Sequence, residues 1–270
     1  MKFTLAATAA VVACASSQAA LIYATDFDTY TNNANLSGQT AWTGTGGNWA
    51  TTGSVNTGQT AFYVTSNPGD PSGSDRSVRM TTEKFNTGGR TKGYLDLSNS
   101  GKWAAASTGA NSAYKVLRAQ VNIYVASGQT INSSYGIMIG DTSSSYSCGM
   151  MISNTGQVWT ANNGYAVANR THRTTTVLDT WHNFLIFWDT VSGRTTAYLN
   201  ATLIADYTPT NKAGVFAVQL FTTTDNGGSG STTANGFGFA DDFSVSSTLP
   251  APGAAALVGL AGLMARRRRA

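Results

Sequence analysis

The sequence predicts an all-β fold of antiparallel sheets, and three observations carry that prediction. Short runs of apolar residues alternate with polar ones at period two through residues 21–248, as in strands with one dry and one wet face. Gly, Asn, Ser and Thr separate the runs, and no stretch of ten or more residues there reads as a helix. Charged residues are only 11% of the 270, too few to clothe the exposed faces of a helix-rich protein. Many short strands without crossover helices close into a sandwich or a barrel.

The elements follow in order. Met1-Lys2-Phe3, an apolar run to Cys14 and the small residues Ser17 and Ala19 form a secretory signal peptide over 1–20. A second reading takes Val11-Val12-Ala13-Cys14 as a lipobox, with Cys14 lipidated. If Cys14 leaves with the leader, Cys148 alone remains and no intrachain disulfide is available. In 117–125, Leu117, Ala119, Val121, Ile123 and Val125 alternate with Arg118, Gln120, Asn122 and Tyr124, a strand with one wet face. Residues 135–139, 150–152, 215–221 and 237–245 read as further strands. The unbroken apolar run Phe184–Trp188 reads as a strand covered on both faces. No Pro-rich linker divides 21–248 and no repeat of 20 to 50 residues is evident, so this region is one domain.

The formal charge is +4, but Lys2 and Arg266, Arg267, Arg268 and Arg269 account for five of the 17 basic residues. The remaining 12 face 13 acidic residues, and no Lys/Arg cluster lies between positions 3 and 265. A nucleic-acid partner is excluded, because phosphate binding needs a basic face.

The last segment, 249–270, joins Pro250-Ala251-Pro252-Gly253 to an uncharged stretch ending at Ala265 and then the four arginines. Such a tail can hold a bilayer during export, with the arginines on the cytoplasmic side. These residues resemble the PEP-CTERM sorting signal of Gram-negative-type bacteria, with Ala251 where the motif's glutamate would stand. The resemblance implies an exosortase-type processing enzyme as partner. It also implies transient inner-membrane anchoring, then release to the cell surface or matrix, often beside exopolysaccharide.

Tyr23-Ala24-Thr25-Asp26-Phe27-Asp28 with Leu36-Ser37-Gly38-Gln39, Asp179-Thr180-Trp181-His182 leading to Trp188-Asp189, and Phe237–Val245 are similar to segments of concanavalin A-like (LamG-type) jelly-roll domains. The resemblance implies a two-sheet β-sandwich with the first and last strands paired near one sheet's middle. Such families place Asp/Asn-Gly at the hairpin where this chain has Asn200-Ala201. Alanine is poor at positive φ, so another turn type is expected.

The chemistry-bearing residues are sparse. Retaining glycoside hydrolysis needs two carboxyls about 5 to 5.5 Å apart, yet Glu83 is the only glutamate and stands alone. No Gly-x-Ser-x-Gly elbow occurs, and neither His172 nor His182 has a zinc-spaced partner. On parity, Asp241 shares a face with Phe237, Phe239, Phe243 and Val245, so its carboxylate must be paired, hydrogen-bonded or bound to metal. Two readings stay open: structural calcium at Asp241 with Asp26 or Asp28, or backbone N–H bonds at a bulge. Trp42 and Trp49 flank a glycine-rich loop and read either as a sugar-stacking platform or as a plug. Trp181 and Trp188 read as core. The leading expectation is a non-catalytic, exported surface or matrix protein associated with carbohydrate. The alternatives are a divergent carbohydrate-active enzyme and a ligand-free surface coat.

Overall fold

A computed structural model describes residues 20–41, 48–52, 61–70, 72–82, 90–98, 100–140, 146–164, 166–209, 217–224 and 236–248. The leader expected over 1–20 lies outside them except for Ala20, the first residue of a strand; Trp42 and residues 249–270, with Pro250–Gly253 and the four arginines, also lie outside these residues.

Among the described residues the chain forms fifteen strands, one short α-helix and two single-turn 3₁₀ helices, Gly109–Asn111 and Val167–Asn169. In chain order the strands and the α-helix are β1 (Ala20–Thr25), β2 (Ala50–Thr52), β3 (Phe62–Ser66), β4 (Arg76–Thr81), β5 (Arg90–Asp96), α1 (Lys102–Ser107) and β6 (Val116–Val125). Then come β7 (Ser133–Gly140), β8 (Tyr146–Ser153), β9 (Gln157–Asn162), β10 (Arg170–Thr175), β11 (Trp181–Asp189) and β12 (Thr195–Leu199). The last three are β13 (Thr202–Tyr207), β14 (Ala217–Thr224) and β15 (Phe237–Thr248). One sheet runs β13-β12-β11-β6-β15-β4-β3, with β1 also on β15; the other runs β10-β9-β8-β7-β14-β5-β2. Every pairing is antiparallel, and the two sheets face each other as a sandwich. The first strand lies along the last, Tyr23 opposite Val245, which ties down one terminus and leaves fewer open edges.

The core is the meeting of two dry faces. Leu117, Ala119, Val121 and Ile123 of β6 and Phe184, Ile186 and Trp188 of β11 meet Ile137, Ile139, Met150, Ile152, Val218 and Leu220 from the other sheet. Each such side chain contributes about 1.5–3 kcal/mol by leaving water. The wet face of β6 carries Arg118, Gln120, Asn122 and Tyr124, as the alternation predicts.

Three expectations change. The apolar run in β11 is buried on one face only, with Leu185 and Phe187 half-buried on the other. The strands covered on both faces are β7 and β14, whose residues are all buried. The outward Met138 of β7 and Phe221 of β14 join Met151 of β8 and Ala161 of β9 in a second apolar cluster. Second, Phe243 and Val245 do not share a face with Asp241. A bulge at Asp242, with φ 48°, shifts the register between Asp241 and Ser244 and turns Phe243 and Val245 into the core. Third, Asn200 and Ala201 both take positive φ, 48° and 66°. The hairpin therefore keeps a two-residue turn of the I′ kind and places an alanine in strain. Asn200 secures it: its Oδ1 accepts from the Asn183 N–H at 2.8 Å, while its own N–H donates to the Asn183 carbonyl.

Candidate functional site

Register places two rows of side chains on the outer face of the eight-stranded sheet. Trp181 of β11 lies opposite Tyr124 of β6, Tyr124 opposite Phe239 of β15, Phe239 opposite Arg79 of β4, and Arg79 opposite Tyr63 of β3. Two residues along the same strands, Asn183 lies opposite Asn122 and Asn122 opposite Asp241. Alternate residues share a face, so an aromatic row and a polar row run side by side about 7 Å apart.

The aromatic row is a chain of edge and tilted contacts. Ring centroids are 5.6 Å apart for Tyr124–Trp181 and 6.1 Å for Tyr124–Phe239. Phe237 continues it from Phe239 at 5.9 Å. The Arg79 guanidinium lies 4.5 Å over Phe237 and 5.6 Å over Tyr63, an arrangement that attracts a cation to the ring face. All these side chains are half-buried, so each keeps an open edge or face.

The polar row ends in an open depression of about 680 Å³, lined by residues that include Asn67, Asp70, Asp75, Asn122, Trp181, Asp241 and Asp242. Three segments build it. The β3–β4 connection is knitted by Asp70, whose carboxylate accepts the Ser72 N–H at 2.8 Å, the Ser72 hydroxyl at 2.7 Å and the Asp75 N–H at 2.8 Å. Those bonds favour the charged form and hold Asp70 down to about 2. Asn67 Nδ2 donates to Asp75 Oδ2 and to Asp241 Oδ2, each at 2.9 Å. The bulge supplies the rest: the Asp242 N–H donates to Asp241 Oδ1 at 2.7 Å, and Asn122 Nδ2 donates to Asp242 Oδ2 at 2.6 Å. Asn122 in turn accepts from Asn183 Nδ2 at 2.8 Å.

Asp241 is 7% exposed, and its carboxyl is pushed up to about 7. Burial is the main cause, and the neighbouring charges of Asp242, Asp75 and Asp28 add to it. Asp75 is raised as well, by burial and then by Asp28 and Asp70.

The aspartates singled out in the sequence divide. Asp241 takes the bulge N–H bond. Asp28, whose Oδ1 accepts the Arg76 N–H at 2.8 Å, adds its charge to the same acidic group. Asp26 stays apart, exposed, with Oδ1 toward the Asp28 N–H at 3.2 Å. Among the described residues no group of three or more His, Cys, Asp and Glu is placed to hold a metal ion.

Trp49 corrects the stacking-platform reading. It is 1% exposed, packed against Phe243 at 5.2 Å and Phe27 at 6.1 Å, and its Nε1–H donates to the Tyr30 hydroxyl at 2.9 Å. Trp181, read as core, is instead the aromatic wall of the depression. His182 is buried and structural: its Nε2 faces the Val177 carbonyl at 2.8 Å and its Nδ1 faces Asn200 Nδ2 at 3.1 Å. Cys148 is buried in the core with its thiol pushed up to about 12, the reverse of an activated nucleophile. Asn67 and Asp75 escaped the sequence reading, because nothing local marks an asparagine as the bridge between two distant carboxylates. Asn122 and Tyr124 were legible as wet-face residues of β6, though not as parts of a site.

No family model matches the sequence, and no curated protein matches it. Solved structures do. A sialidase superposes on 84% of the chain at TM-score 0.54 and 10% identity, and the chain spans only 19% of that protein. A Trypanosoma rangeli sialidase with 2,3-difluorosialic acid matches over 63% of the chain and 25% of its own, at TM-score 0.42 and 10% identity. A botulinum neurotoxin type C structure, described as entering cells through two ganglioside molecules, matches over 86% and 49%, at TM-score 0.47 and 12% identity. The first likeness establishes a shared two-sheet β architecture and leaves the chemistry to the residues.

Proposed function

We propose that this chain is an exported bacterial surface or matrix protein that associates with carbohydrate without acting on it. Its body is a concanavalin A-like jelly roll over 21–248. A leader over 1–20 and an exosortase-type sorting tail over 249–270, with Pro250, Ala251, Pro252, Gly253 and Arg266–Arg269, deliver it through the inner membrane to the surface, beside exopolysaccharide. The observation that carries the reading is the pairing of a half-buried aromatic row with a row of amides and carboxylates, since sugars present both apolar C–H faces and hydroxyls. The carboxylates also favour a binding role: Asp241 and Asp75 share the Asn67 amide, Asp242 accepts from Asn122, and Asp28 accepts a backbone N–H. Calcium is the one cofactor this reading includes, held through Asp28 and Asp241, whose oxygens suit it. A thermal midpoint unmoved by a chelator removes it.

Retention of the full-length chain on a panel of polysaccharides tests the binding. Retention without release of reducing sugar is the expected result; no retention on any polymer leaves a ligand-free surface coat. Mass spectrometry of the exported chain, with and without the host's exosortase, tests the sorting: the expected loss of 249–270 depends on that enzyme.

One observation favours a second reading, a divergent carbohydrate-active enzyme. An aspartate titrating near 7 beside other carboxylates is what a general acid requires. Reducing-sugar release that disappears in Asp241→Asn would establish it.

A further inference from the structure

We propose that the row Trp181–Tyr124–Phe239–Tyr63, with Asn183, Asn122 and Asp242 beside it, is a platform for an uncharged polysaccharide lying across the strands. The inference rests on the carbohydrate-binding reading and gives it a place and a ligand class. Three features decide both.

The first is length. The aromatic row crosses five adjacent strands, β11, β6, β15, β4 and β3. At about 4.8 Å per strand the row spans about 19 Å, enough for several sugar units rather than one.

The second is the match of chemistry to a glycan's edge. Sugars stack C–H faces on aromatic rings while their hydroxyls point sideways. The polar row, about 7 Å along the strands, is where those hydroxyls arrive. Asp242 is exposed there and accepts hydrogen bonds, and the depression beside Trp181 gives a sugar room to enter.

The third is charge. Asp28, Asp70, Asp75, Asp241 and Asp242 gather at this end of the row. The nearest cations already hold partners, Arg79 within the row itself and Arg76 at its side. Arg79 is stacked on Phe237 and Tyr63, and the Arg76 guanidinium donates to the Tyr30 carbonyl. The carboxylates that carry charge here, Asp70 foremost, repel uronate- or sialate-bearing chains, and protonated or charged the group exchanges hydrogen bonds with neutral ones.

Affinity electrophoresis of the full-length chain through gels containing a neutral glucan, a neutral galactomannan, alginate or no polymer tests the proposal. Trp181→Ala and Asn122→Ala are run beside Leu203→Ala, an exposed residue on β13 outside the rows. Retention by a neutral polymer is expected. It should weaken about tenfold in the first two variants, the equivalent of about 1.4 kcal/mol, and stay unchanged in the third. Circular dichroism confirms that each variant is folded. If the parent chain is retained by no polymer, the carbohydrate reading itself falls. If it is retained but Trp181→Ala and Asn122→Ala bind as the parent does, only the placement falls. Stronger retention by alginate than by the neutral polymers overturns the ligand class.

Discussion

Asn67 Nδ2 donates to Asp241 Oδ2 at 2.9 Å across 174 positions of sequence, and to Asp75 Oδ2 at the same distance. One amide thus binds the β3–β4 connection to the bulge of the last strand. It supplies hydrogen bonds to two carboxyls that burial and mutual repulsion both penalise.

Asn67→Leu removes that donor and leaves Asp241 buried with only the Asp242 N–H. A loss of about 1–3 kcal/mol is expected. Urea unfolding of the two chains at equal pH measures it, and an unchanged midpoint would show that water replaces the amide.

Asp241 makes stability depend on pH in a defined direction. Its folded pKa, about 7, lies above the ordinary value of 3.8, so the folded state holds the proton more tightly. Its contribution is whole below about pH 4, declines as pH rises to about 7, and is flat above. At about 1.4 kcal/mol per pH unit the decline is roughly 4 kcal/mol. Asp75 acts in the same sense, whereas Asp70, held low, titrates beneath this window. Melting in calcium-free buffer between pH 4.5 and 8 should show the fall in the parent chain and a shallower one in Asp241→Asn.

Ala201 sits at φ 66°, where its Cβ crowds the following carbonyl. Ala201→Gly should stabilise the β12–β13 hairpin by about 0.5–1 kcal/mol. A raised thermal midpoint checks it; a lowered one would mean that the turn gains nothing from relief of strain.

Trp49 and Trp181 should separate cleanly. Trp49→Ala opens a cavity among Tyr23, Phe27 and Phe243 and leaves the Tyr30 hydroxyl with Tyr23 alone, at about 3–5 kcal/mol. Trp181→Ala, at a half-buried outer position, should cost well under half of that. Chemical denaturation of both variants ranks them, and equal losses would place Trp181 in the core after all.

The sequence by itself determined that the chain is layered β structure. Period-two alternation is a local property, and it marked the wet face of β6, Asn122 and Tyr124 included, before any strand had a neighbour. It also offered the bulge bond that Asp241 makes. The tertiary structure alone decided which tryptophan is buried and which is open, because burial depends on the facing sheet and not on neighbours in the chain. It decided, too, that Phe243 turns inward. A single bulge at Asp242 reverses the parity of every residue after it, and no hydrophobic pattern counts that extra residue. The aromatic and polar rows are legible only in register, since each member comes from a different strand and their spacing is set by backbone pairing across the sheet.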